Sequence, residues 1–137
     1  MNPDKSETFY NLGNAYCVIQ DFDEAIENYK RAVKLDPYNA PAFFNLGNAY
    51  YRCKKVDQAI GSYQMAIKIN PETAECHFNL ANAFNDKGSK LEALKHFKEV
   101  VRIDPSNMDA LSEQAEILAE QGNKEKALQL FKQVIEK

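Results

Sequence analysis

Cysteines at 17, 53 and 76 and histidines at 77 and 96 are the side chains best suited to nucleophilic or metal chemistry, and their spacing supports neither. No two cysteines form a C-x-x-C pair and their number is odd. Free thiols in a reducing compartment are therefore expected, rather than a disulfide frame. Cys76 and His77 are adjacent, which on a helix turns them about 100° apart. Two histidines are too few for a His-rich metal site. The sequence has no glycine-rich phosphate loop and no nucleophile elbow. The expectation is a segment that is not an enzyme, with no catalytic residue, no metal and no cofactor.

Asparagine offers a different chemistry. A carboxamide carries both a donor and an acceptor, so it can match the C=O and N–H of a peptide unit together. Paired asparagines occur at 11 and 14, within Asn11-Leu12-Gly13-Asn14-Ala15-Tyr16. The six letters return unchanged at Asn45–Tyr50 and slightly worn at Asn79–Phe84, 34 residues apart each time. A fixed period of that size marks a stacked-repeat architecture. One period later the frame lands on Glu113-Gln114-Ala115-Glu116-Ile117-Leu118, where the asparagines are gone.

The elements that must carry these pairs follow from the same frame. Repeats are expected at 6–39, 40–73, 74–107 and, cut short, 108–137, all within one array over 1–137. Pro37, Pro71 and Pro105 recur at position 32, and Asn39, Thr73 and Asn107 at position 34. A proline after one helix and an N-cap residue before the next predict helix boundaries there. Large residues at positions 4, 7 and 11 (Phe9, Leu12, Tyr16; Phe43, Leu46, Tyr50) follow the spacing of one helical face. Position 8 is small (Gly13, Gly47, Ala81, Ala115), and so is position 20 (Ala25, Ala59, Ala93, Ala127). Small residues facing each other would let two antiparallel helices approach closely. That would explain glycines which otherwise cost a helix about 1 kcal/mol each. Ser89 to Glu92 reads as a capping box, with Asp21 and Glu24 at the same spacing.

With Tyr29, Tyr63, Phe97 and Phe131 at position 24 and Ala32, Ala66, Val100 and Val134 at position 27, the pattern resembles the tetratricopeptide repeat over nearly the whole chain. Gln20 and Lys54 depart from it, standing in the turn where Gly88 and Gly122 keep glycine, and Gln114 replaces the leucine of position 7. The resemblance implies an all-α fold, a right-handed superhelical α-solenoid of antiparallel helix pairs. It also implies that the first helix of each repeat lines a concave groove.

Positions 2, 6, 9 and 13 share one stripe of that helix. The peptide-binding side chains expected from it are Asn11, Asn14, Asn45, Asn48, Arg52, Asn79, Asn82, Asp109, Glu113, Glu116 and Glu120. The acidic end predicts a ligand with basic residues. The same asparagines also have a purely structural use, tying neighbouring helices together. A clamp for the acidic tail of heat-shock chaperones is not expected: Tyr10, Glu75 and Asn79 stand where the family's clamp places cations. The net charge of -3 and pI near 5.4 disfavour nucleic acid, and no apolar run of about 18 residues predicts a membrane span.

Asn2 and Pro3 fall at positions 31 and 32 of a preceding repeat, so four periods cut from a longer array are expected. Leu128, Phe131, Val134 and Ile135 would then face a missing neighbour, inviting self-association. The expected function is a cytoplasmic protein–protein interaction scaffold binding an extended segment. The alternatives are a self-assembling or stacking element, or the regulatory repeat region of a larger enzyme.

Overall fold

Each period carries two apolar stripes at helical spacing, one on either side of a short turn, and each stripe buries the other. In the computed structural model, which describes residues 3–136 and side chains from Lys5 onward, this gives eight helices and no strand among the described residues. They are α1 Pro3–Val18, α2 Phe22–Leu35, α3 Ala40–Arg52, α4 Val56–Ile69, α5 Ala74–Asp86, α6 Lys90–Ile103, α7 Met108–Glu120 and α8 Lys124–Glu136. The expected all-α helical repeat fold is what forms. Helix α1 starts at Pro3, ahead of the expected Ser6, because proline is well suited to a first helical turn. Asn2, the other half of the expected boundary, lies outside the described residues.

The chain divides after Pro71 into two compact units, α1–α4 and α5–α8. In the first, α1 packs on α2, α2 on α3 and α3 on α4. Its core gathers Ala25, Ile26, Tyr29, Leu46 and Ala49, with Tyr10, Tyr16, Phe22 and Tyr50 against them. In the second, α5 packs on α6, α6 on α7 and α7 on α8. There Leu80, Ala81, Phe97, Val100, Leu111 and Ala115 are buried.

The close approach of paired helices has a further contact besides the one expected. Ala25, Ala59 and Ala93 are fully buried, and the ring at position 24 meets the glycine at position 8. A β-carbon on Gly13 would lie 2.5 Å from Tyr29 Cε1, and one on Gly47 2.7 Å from Tyr63 Cδ1. Glycine is there to seat a tyrosine.

Within each pair the turn closes in one way four times. The N–H of Asp21 donates to Tyr16, Lys55 to Tyr50, Ser89 to Phe84 and Asn123 to Leu118, at 2.8–2.9 Å. This six-to-one bond is the Schellman ending and demands a left-handed residue just inside it. Gln20 (φ 64°) and Lys54 (φ 62°) take that conformation, as Gly88 (87°) and Gly122 (86°) do.

Between pairs, Asn39 and Asn107 cap as expected, accepting from the N–H of Ala42 and Ala110 at 3.0 and 2.9 Å. Thr73 holds the equivalent place without a side-chain cap bond. The capping box expected at Ser89 does not form either, whereas Asp21 accepts from Glu24 N at 3.3 Å. Leu12, expected in the core, is 42% exposed, against 4% for Leu46 at the same position.

Candidate functional site

The first unit spends most of its asparagine amides on itself. Tyr29 enters from α2 with its ring 1% exposed and its hydroxyl beside α1. That hydroxyl donates to Asn14 Oδ1 at 2.6 Å. Asn45, on α3, donates through Nδ2 to Asn14 Oδ1 and to the Tyr10 hydroxyl, both at 3.2 Å. Burial holds the Tyr29 phenol well above its ordinary pKa, and Cys17 Sγ at 3.4 Å adds to this. In the next pair the Tyr63 hydroxyl donates to Asn48 Oδ1. Asn14, Asn45 and Asn48 are thus engaged in tying helices together, the structural use of the motif. Asn11 is exposed on α1. Arg52 lays its guanidinium 4.8 Å from the centre of the Phe22 ring, a cation–π contact.

The second unit is arranged differently. Asn79 and Asn82 are half-buried on α5. Phe97, at the position Tyr29 holds in the first pair, is fully buried and edge-to-face with Phe78 at 5.6 Å. A cleft of about 370 Å³ opens between the start of α5 and the start of α7, lined by Ala74, Glu75, Phe78, Asp104, Asn107 and Asp109. Glu113 is half-buried further along α7. Burial raises its pKa and Glu116 adds to the rise, while Lys90 opposes it. Glu116 is exposed. Glu120 is paired with Lys90 Nζ at 3.5 Å, and the same ammonium donates to Asn85 Oδ1 at 2.5 Å.

The structure therefore brings together Asn14 with Asn45, Asp109 with Glu75 and Phe78, and Glu120 with a lysine that sequence reasoning did not place. Lys90 is the first residue of α6, and only the pairing of three helices puts it beside the last turn of α7.

A second cluster was also missed. His77 and His96 face each other, Nδ1 to Nδ1 at 3.0 Å, with ring centres 5.2 Å apart. Phe84 stacks on His96 at 5.8 Å. Burial, then the neighbouring His77, lowers the His96 pKa to about 4. Beside them the buried Cys76 thiol is pushed up to about 12. All three cysteines are free. Among the described residues no three His, Cys, Asp or Glu side chains are grouped to hold a metal ion.

Known proteins agree with this architecture. The family description "TPR repeat" matches residues 13–54 and 47–88, and "Tetratricopeptide repeat" matches 78–137. The crystal structure of MamA superposes with a TM-score of 0.93 at 27% identity, over 98% of this chain and 79% of that one. The first TPR of Spaghetti (RPAP3), bound to the HSP90 peptide SRMEEVD, gives 0.83 at 26% identity, over 89% and 97%. MamA from Desulfovibrio magneticus RS-1 shares the fold at 0.86 with 18% identity, over 96% and 74%. Among curated protein sequences none matches. With the family descriptions running from residue 13 to the end and the helix pairs following the 34-residue period throughout, the chain belongs to the tetratricopeptide-repeat family.

Proposed function

We propose that the chain is a protein-interaction scaffold that holds an extended segment of a partner on the first helices of its repeats. Its principal seat is α5 and α7, and the partner presents a basic residue there. One observation carries the reading: Glu75 and Asp109 flank Phe78 in the cleft, and Glu113 and Glu116 continue the acidic side along α7. An ordinary solvated acidic face is the competing explanation. The RPAP3 repeat was solved with an acidic-tailed peptide. Tyr10, Glu75 and Asn79 supply no cation for such a tail here, so a segment with basic residues is the proposed ligand. Nucleic acid is not proposed, for want of a basic face.

The test is a dye-labelled, blocked peptide, acetyl-Ala-Arg-Ala-Arg-Ala-amide, followed by anisotropy. Binding should weaken as salt rises, since exposed charges are screened beyond about 10 Å at 0.1 M. Glu113→Lys with Glu116→Lys should remove most of the affinity and its salt dependence. Equal binding by the double reversal would leave the acids as plain surface.

A second reading, stacking of copies, is favoured by the last helix, where Leu128 is 55% and Ile135 82% exposed. Exposed apolar surface seeks a partner. Light scattering at two concentrations, with and without Phe131→Glu, decides it. No helix among the described residues is long and apolar enough to cross a membrane. The three free thiols support a reducing, cytoplasmic setting.

A further inference from the structure

Four side chains of the first unit close on one another: Tyr10, Asn45, Asn14 and Tyr29, joined by the three hydrogen bonds at 2.6–3.2 Å described above. Two periods later, 68 residues on, the same places are held by Phe78, Glu113, Asn82 and Phe97. Both hydroxyls have been deleted. The donating amide of Asn45 has become a carboxylate, which only accepts. Asn82 Oδ1 has thereby lost both of the donors that Asn14 enjoys. Among the described residues the side chains of Asn82 and Glu113 make no hydrogen bond.

The surroundings are fixed on both sides. Toward the start of the helices lies the cleft of Phe78, Glu75 and Asp109. Toward their ends Lys90 spans Asn85 on α5 and Glu120 on α7. The place between is half-buried, near the edge-to-face phenyl pair, and its acceptors, Asn82 Oδ1 and the Glu113 carboxylate, receive no hydrogen bond. A desolvated acceptor left unmatched is costly, and the rise in the Glu113 pKa reflects that cost. A planar guanidinium fits the vacancy in donors better than an ammonium does. Its fork serves two acceptors at once and its face stacks on a phenyl ring.

We infer that Asn82 and Glu113 form the seat for an arginine side chain of the bound partner, released for that use by phenylalanine at 78 and 97. The inference rests on the scaffold reading and assigns its specificity to one place.

The test uses the intact chain and the same arginine peptide, with side-chain amide NMR as the readout. The Asn82 carboxamide signals should move on titration while those of Asn14 and Asn45 stay. A citrulline version of the peptide, isosteric but neutral, should leave Asn82 unmoved. Phe97→Tyr, which returns a hydroxyl to Asn82, should weaken binding about threefold, and Glu113→Gln about tenfold, within the range of one or two hydrogen bonds. Suppose the peptide binds with salt dependence but Asn82 stays still, and both variants bind like the parent. The seat is then wrong and the scaffold reading stands. Equal movement of Asn14 and Asn45 also overturns the seat. No binding by the parent chain overturns both. Circular dichroism checks folding, and if Phe97→Tyr misfolds, the glutamine and citrulline arms still decide.

Discussion

The ring of Tyr29 stands where a side chain on Gly13 would have to go, with an added β-carbon only 2.5 Å from Cε1. The ring is buried and cannot swing away. Overpacking of this kind costs about 1–3 kcal/mol. Alanine returns about 1 kcal/mol of helix propensity. Gly13→Ala should therefore destabilise the chain by up to about 2 kcal/mol. Gly61, in α4, has nothing within 4 Å of an added β-carbon, so Gly61→Ala should stabilise by up to about 1 kcal/mol. Urea midpoints of the two variants should move in opposite directions.

The four Schellman turns make an internal control. Gln20 and Lys54 hold φ near 60° with a β-carbon, whereas Gly88 and Gly122 hold it freely. The left-handed conformation costs a non-glycine residue about 1–2 kcal/mol. Glycine gives back about 0.4–1 kcal/mol through the unfolded chain. Gln20→Gly and Lys54→Gly should each gain roughly 0.5–1 kcal/mol, and Gly122→Gln should lose as much. Thermal unfolding of all three would show the sign.

Gln114 sits 9% exposed where Leu46 and Leu80 stand in the preceding repeats, and its buried Oε1 has no hydrogen-bond partner. An unmet buried acceptor costs about 1–3 kcal/mol. Gln114→Leu should raise the denaturation midpoint, with a gain of about 1–2 kcal/mol. A loss would mean the leucine does not fit.

The histidine pair gives the second unit an acid limit. The His96 pKa is lowered to about 4 from 6.5, so the unfolded chain takes up its proton first as pH falls. Stability from the neutral His96 is complete above about pH 6.5 and is lost progressively toward pH 4. The slope reaches up to about 1.4 kcal/mol per pH unit for one proton. His96→Phe should flatten the dependence in that window. An unchanged profile would take the pair out of the acid transition.

The fold was legible because its rules are local and repeated. Asn39, Asn107 and Asp21 are caps by residue type, and Gly88 and Gly122 end helices because they accept positive φ. Gln20 and Lys54 follow since the period insists. What escaped depends on neighbours distant in sequence. The Tyr-to-Phe change at 97 is plain in the letters. It acquires meaning only once Tyr29 is seen reaching Asn14 from another helix. Lys90 on α6 pairs with Glu120 on α7, and Leu12 is exposed although the six residues Asn11–Tyr16 match Asn45–Tyr50 letter for letter. The asparagine pairs were expected to face a ligand. Asn14, Asn45 and Asn48 tie helices together, a use the sequence equally allowed.

Cys76 makes the second unit a clock that needs no added probe. Its thiol is 1% exposed and held far from the thiolate form, so an alkylating reagent reaches it when the surrounding helices part. Cys17 and Cys53, half-buried in the first unit, react on their own schedule. Mass spectrometry of partly alkylated chains therefore times the opening of each half separately. If the two halves come apart as one cooperative block, urea will accelerate all three modifications in parallel. If they are independent, Cys76 will quicken at a different urea concentration from Cys17 and Cys53.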